Sequence, residues 1–174
     1  MLDVGAGVGG LSFELLAAGA ERATAVEVAP AYLAAARDEA NRRKLSHRLN
    51  LVSGDFVAIA GDIEPADVVA MDRVVCCYPA CDVLLEAGAR RSRRLFAFSY
   101  PRDRWYVRLV VTVQNLARAL LRNPYRGFVH SRAAMEALLE RQGFSRRQRH
   151  ETLAWAADLY ARRDDASSPR LGGR

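Results

Sequence analysis

Short apolar runs alternate with stretches of helical periodicity along most of the chain, the pattern of a parallel sheet covered by helices. Residues 2–4 read as the end of a first strand, followed by a turn from Gly5 to Gly10. Over residues 11–18, Leu11, Leu15 and Leu16 share one helical face, and residues 23–28 form a second strand. Pro30 suits a first helical position, and the alanine-rich run 31–43 continues as helix. Further strands are predicted over 49–53, over 67–71 with an extension to Val75, and over 95–100, with a helix at 83–91 before the last. Residues 105–121 form a long helix ended by Asn123-Pro124-Tyr125. It is read as a buried crossover helix; a substrate lid or a contact with a membrane or partner are the other roles its length allows.

The closing third has a different texture. Ser131 can cap a helix over 132–141 that stops before Gly143. Residues 144–153 and 154–162 then read as two strands joined tightly, which a plain strand–helix repeat would not give. One domain over 1–164 is expected, with a polar, disordered tail at 165–174. A buried parallel strand normally has about five or six residues. The first strand is therefore expected to be truncated at its N-terminal side, with Met1 an internal codon and a covering helix upstream.

Composition narrows the class. Half of the 174 residues are hydrophobic and a quarter charged, the mix of a globular domain. Nothing approaches the roughly 18 apolar residues of a membrane span, and no leader is seen, so a cytoplasmic protein is expected. Cys76, Cys77 and Cys81 are an odd, clustered set, unlike a disulfide framework. His47, His130 and His150 are scattered, so no metal site is expected. The net charge of +6 is almost all arginine, since Lys44 is the only lysine. Runs such as residues 90–94 and 146–149 lack interleaved aromatics and read as solvated surface rather than as a nucleic-acid platform.

The chemistry concentrates in Asp3-Val4-Gly5-Ala6-Gly7-Val8-Gly9-Gly10. Glycines let the chain turn sharply from strand to helix and approach a ligand closely. Gly5, Gly7 and Gly10 also satisfy the dinucleotide spacing, so the turn alone leaves nicotinamide, flavin and adenosylmethionine ligands open. Three acids change the balance. Asp3 puts a carboxylate inside the strand, where a pyrophosphate would be repelled and a sulfonium with an ammonium group would be tolerated. Glu27 stands about 20 residues after the turn, placed to accept from both ribose hydroxyls. Asp55, between Gly54 and Phe56, can accept from an adenine amino group while Phe56 packs beside the ring.

On those residues the chain resembles the class I S-adenosylmethionine-dependent methyltransferases. Asp3 to Gly9 matches their D-x-G-x-G-x-G turn, Glu27 their ribose acid and Asp55 their adenine-side acid. The resemblance implies a Rossmann-like α/β sheet, mostly parallel, with a C-terminal antiparallel hairpin whose last strand lies between the fifth and sixth. It also implies S-adenosylmethionine as cofactor, held by Asp3, Gly5, Ala6, Gly7, Gly9, Glu27, Val28, Asp55, Phe56 and Asp72.

Ligands of open α/β sheets lie outside the strand carboxyl ends, which here brings Asp72, Arg73 and Tyr78 towards the acceptor. Tyr100, Arg102 and Arg104 follow the fifth strand, and their arginines suit an anionic acceptor. Asp72, Tyr78 and His130 are the candidate catalytic groups. Asn/Asp-Pro-Pro-Tyr/Phe, the grip on an exocyclic amine, is absent, which disfavours methylation of nucleic-acid bases. Cys77-Tyr78-Pro79 resembles the His-Tyr-Pro of magnesium-protoporphyrin O-methyltransferases, with Cys77 in place of the histidine. The expected activity is methylation of a small molecule, at oxygen. A nicotinamide or flavin oxidoreductase and a truncated, non-catalytic methyltransferase relative are the rivals.

Overall fold

The structure is a computed structural model that describes residues 1–163; the tail expected at 165–174 lies outside them. The strand-forming runs build one sheet in the order β3-β2-β1-β4-β5-β7-β6. β1 (Leu2–Val4), β2 (Ala23–Glu27), β3 (Leu49–Ser53), β4 (Ala66–Met71) and β5 (Ser92–Pro101) run parallel. β7 (Trp155–Arg162) pairs antiparallel with both β5 and β6 (Phe144–Glu151), so the expected terminal hairpin is present. This is the Rossmann-like methyltransferase architecture. β1 holds only three residues, the shortest strand of the sheet.

α1 (Gly10–Ala17) and α2 (Pro30–Arg42) pack on one face, through Phe13, Leu16 and Ala40 against Ala23, Ala25 and Leu49. α4 (Cys81–Arg91) and α6 (Arg132–Arg141) cover the other, where Leu84, Leu85 and Leu139 meet Phe96, Phe98 and Tyr160. Gly88 lets α4 approach closely, because a methyl group there would collide with Met71 and the Phe96 ring. Ser131 caps α6 by accepting the Ala134 N–H, as its position suggested.

Three expectations are corrected. β4 stops at Met71 instead of reaching Val75, because Arg73 takes a left-handed backbone (φ 58°) and the chain turns into a 3₁₀ segment, Val75–Cys77. The one-turn helix α3 (Phe56–Ile59) was not foreseen; four residues give no periodicity to read. α5 (Trp105–Leu120) is not a buried crossover helix: Val107 is its only buried residue, and the rest stands out from the sheet.

Candidate functional site

The turn after β1 is built by backbone. Gly5 and Ala6 both donate their N–H to the Val26 carbonyl, 2.8 and 3.1 Å away, which ties the bend to β2. Gly5, Gly7 and Gly9 all have positive φ (65°, 55° and 82°). A side chain at Gly5 would strike Val74, whereas the space above Gly7 is open. Glu27 closes the frame: Oε2 accepts from Gly7 N–H at 2.9 Å and Oε1 from Ala29 N–H at 2.8 Å. Each oxygen keeps further acceptor capacity for a ligand hydroxyl.

Beside the turn lies a cleft of about 190 Å³ lined by Gly5, Glu27, Val28, Asp55, Phe56 and Tyr78 among others. Asp55 caps α3, its Oδ1 accepting from Val57 N–H at 3.0 Å. Tyr78, expected on the acceptor side, instead donates its hydroxyl to Asp55 Oδ2 at 3.2 Å and so lies in this cleft. Burial first, then the Asp55 charge, raises its phenol above the ordinary value.

Asp3 is placed behind the turn rather than in the cleft. Its carboxylate accepts from Ser12 Oγ (2.7 Å) and Ser12 N–H (3.1 Å), joining β1 to α1. Burial pushes the pKa of its carboxyl up to about 6, opposed by the two Ser12 hydrogen bonds and reinforced by the neighbouring charges of Asp72 and Glu27. The charges of Asp72 and Glu27 thus both bear on Asp3 at one glycine turn. Such a surround favours a cationic ligand and opposes a pyrophosphate. The residues present therefore fit a sulfonium nucleoside with a free ammonium group.

Asp72 is fixed by Ser99, whose hydroxyl donates to Oδ1 at 2.6 Å while accepting from Arg73 N–H at 2.8 Å. Next to it, at the carboxyl ends of β4 and β5, is a second cleft of about 250 Å³. Arg73, Trp155, Arg118, Tyr125 and Phe128 line it beneath α5. The Arg73 guanidinium lies 5.5 Å from the Trp155 ring centre and that of Arg118 4.7 Å from Tyr125.

The other expected acceptor residues fall elsewhere. Arg102 and Arg104 line a separate cleft of about 270 Å³ with Ser131 and Glu151, and Arg102 is ion-paired to Glu151 at 2.8 Å. The buried Tyr100 hydroxyl donates to Asp158 at 3.0 Å. His130 Nε2 lies 3.0 Å from the Val75 carbonyl and 3.1 Å from that of Tyr78. With that nitrogen's proton shared between two carbonyls, His130 clamps the β4–α4 connection and leaves Nδ1 as its only acceptor.

One group went unforeseen. Cys77 Sγ is 2.8 Å from the Tyr125 hydroxyl and 3.5 Å from Cys76 Sγ. Hydrogen bonding from Cys76 and from Tyr125, with the nearby Arg118 charge, pulls the Cys77 thiol down to about 6. Cys76, buried and donating to that sulfur, is pushed above the ordinary thiol range. The signal available in the sequence was the position of Cys77 in Cys-Tyr-Pro; its partner lies 48 residues away. Among the described residues, no group of three or more His, Cys, Asp or Glu is placed to hold a metal ion.

Against known families, residues 1–94 match the model described as "Methyltransferase domain", more than half the chain. The chain belongs to that methyltransferase family. No curated protein matches it in sequence. Among solved structures, it is similar to magnesium protoporphyrin IX methyltransferase from Synechocystis PCC 6803 with bound SAH, at 18% identity and TM-score 0.76, over 92% of this chain and 73% of that one. It is also similar to an O-methyltransferase family 2 protein from Planctomyces limnophilus DSM 3776 in complex with apigenin (18%, TM-score 0.72, 92% of this chain and 50% of that). A third likeness is to an O-methyltransferase of neocarzinostatin biosynthesis, in complex with SAH and 1,4-dihydroxy-2-naphthoic acid (20%, TM-score 0.65, 92% and 48%). The chain spans about half the length of those last two. This methyltransferase is of class I, with S-adenosylmethionine as its cofactor. Of its acids, Glu27 and Asp55 line the cleft beside the glycine turn, while Asp3 lies behind it.

Proposed function

We propose that this methyltransferase methylates an oxygen of a small aromatic, anionic acceptor in the cytoplasm. The observation behind the reading is the cleft of about 250 Å³ under α5, where arginines lie on aromatic rings and the Tyr125 hydroxyl meets Cys77 Sγ at 2.8 Å. S-adenosylmethionine supplies, when bound, an activated methyl on a sulfonium. Gly5, Ala6, Gly7, Gly9, Glu27, Val28, Asp55 and Phe56 hold it, with Asp3 and Asp72 supplying negative charge behind and beside the turn.

The remaining work belongs to the acceptor. Arg73 and Arg118 bind its anionic group, and Trp155 and Phe128 pack against its ring. Cys77, a thiolate at neutral pH with Tyr125 donating to it, takes the proton from an acceptor hydroxyl and raises its nucleophilicity. Asp72 and Ser99 fix the Arg73 backbone. The aromatic ligands in the two O-methyltransferase neighbours, apigenin and a dihydroxynaphthoic acid, are of the class this cleft suits.

The test is turnover with S-adenosylmethionine and a panel of aromatic hydroxy acids, phenols and amines, read by mass spectrometry. O-methylated hydroxy acids are expected, with Cys77→Ser lowering kcat about 100-fold at little change in KM, and Arg73→Ala raising KM. Products methylated only on nitrogen, or a Cys77→Ser enzyme as fast as the parent, would overturn the reading.

A further inference from the structure

α5 turns its apolar side away from the protein. Val107, Val111, Asn115 and Arg118 face inwards, where Asn115 exchanges two hydrogen bonds with Gly127. On the opposite face Trp105, Leu109, Val113, Leu116 and Leu120 recur at helical spacing, each 55–77% exposed. Val110 and Leu121 widen the stripe. At its amino end Tyr106 donates its hydroxyl to the Leu153 carbonyl at 2.8 Å, which brings that exposed leucine from the β6–β7 turn into the same patch.

The charge around this stripe is mostly positive, although Arg108 is paired to Asp103 at 2.7 Å. From Arg104 to Met135 the sequence contains Arg104, Arg108, Arg118, Arg122, Arg126 and Arg132 and no aspartate or glutamate. Arg104 and Arg122 bracket the helix ends, and Arg108 lies at the stripe's edge. A helix of 16 residues is about 24 Å long, and none in the described residues is long and apolar enough to cross a membrane. An apolar face with an aromatic residue at one end and arginines at its margins has the composition of a helix lying in a bilayer interface. A protein surface of matching shape would satisfy the apolar face alone; the excess of arginine, with Arg104 and Arg122 at the two helix ends, specifies an anionic one as well.

We propose that α5, with Leu153, docks this chain on an anionic lipid surface, the helix lying in the headgroup plane. The proposal stands on the helix and its charges and does not depend on methyl transfer.

Co-sedimentation of the purified full chain with vesicles tests it. One set is phosphatidylcholine alone; the other contains equal parts of phosphatidylcholine and phosphatidylglycerol. Binding about tenfold tighter to the anionic set is expected, weakening as salt rises. A blue shift of tryptophan emission on binding is expected in the parent and not in Trp105→Phe. The double variant Leu116→Glu/Leu120→Glu changes only exposed positions, so it should keep the parental melting temperature and lose about tenfold or more in binding. The variant Arg104→Gln/Arg122→Gln should keep the apolar stripe and lose the preference for anionic vesicles. The proposal fails if neither vesicle sediments the chain, if the glutamate variant binds as the parent does, or if the stripe instead drives a vesicle-free dimer that this variant dissolves.

Discussion

Asp3 and Cys77 are held away from their ordinary acidities by opposite arrangements, and each yields a measurable pH dependence. The Asp3 carboxyl holds its proton more tightly in the folded chain, at about 6, than in the unfolded one near 3.8, chiefly because burial disfavours its charge. Its contribution to stability is therefore full below pH 3.8 and is lost as pH rises through about 6. Asp3→Asn removes the titration and keeps an acceptor for Ser12. Between pH 4 and 7.5 the stability difference should move by about 2 kcal/mol in favour of the variant, measured by urea unfolding at both pH values. Parallel pH profiles would show that the Asp3 charge is not buried as described. For Cys77 the lowering by Cys76, Tyr125 and Arg118 predicts alkylation by iodoacetamide with a midpoint near pH 6. Cys76 and Cys81, both buried, should stay unmodified. Tyr125→Phe should move the midpoint upwards, and a parental midpoint near the ordinary 9.0 would contradict the geometry.

At the scale of elements, the terminal hairpin is pinned by one buried charge. Asp158 on β7 is almost inaccessible and receives two hydrogen bonds of 2.6 Å from Arg149 on β6, plus the Tyr100 hydroxyl from β5. The pair joins β6 to β7 and Tyr100 adds β5, so Arg149→Ala strands a carboxylate in the core. A loss of about 3–5 kcal/mol is expected by chemical denaturation, against about 0.5 kcal/mol or less for the exposed neighbour Arg147→Ala. Gly88→Ala tests the other face of the sheet. The helix gains propensity, but the new methyl group meets Phe96, so a net loss of about 1–2 kcal/mol is expected in the same assay. These elements also mark what the sequence could and could not reveal. The parallel strands and the hairpin were legible because apolar runs, Pro30 and Ser131 act locally. The end of β4 was not, because a left-handed Arg73 has no marker of the kind glycine gives. The exposure of α5 was hidden too, since periodicity reports an apolar face without saying which way it turns.

For the molecule as a whole, the same division separates cofactor from acceptor. Asp3 sits within β1, Glu27 at the end of β2 and Asp55 just past β3, each signalled by local sequence, though Asp3 reaches Ser12 rather than the cleft. The proposed acceptor side draws on Arg73, Cys77, Tyr125 and Trp155, which only the folded sheet brings together, and no local pattern could have paired them. The cofactor half can be tested on the intact chain without knowing the acceptor. A ligand that binds only the folded state stabilises it by about 2.7 kcal/mol at a concentration 100 times its Kd. For a chain of this size that raises Tm by roughly 5–11 °C. S-adenosylhomocysteine, which keeps the nucleoside and the ammonium group, should give such a shift. Glu27→Gln keeps one carbonyl acceptor but loses the charge proposed to meet ribose hydroxyls, and should weaken binding about 10- to 100-fold in calorimetry. NAD, whose pyrophosphate would approach a turn surrounded by the acids Asp3, Glu27 and Asp72, should leave Tm unchanged. Stabilisation by NAD with none by S-adenosylhomocysteine would reverse the electrostatic argument, since a turn surrounded by the acids Asp3, Glu27 and Asp72 cannot favour an anion over a cation.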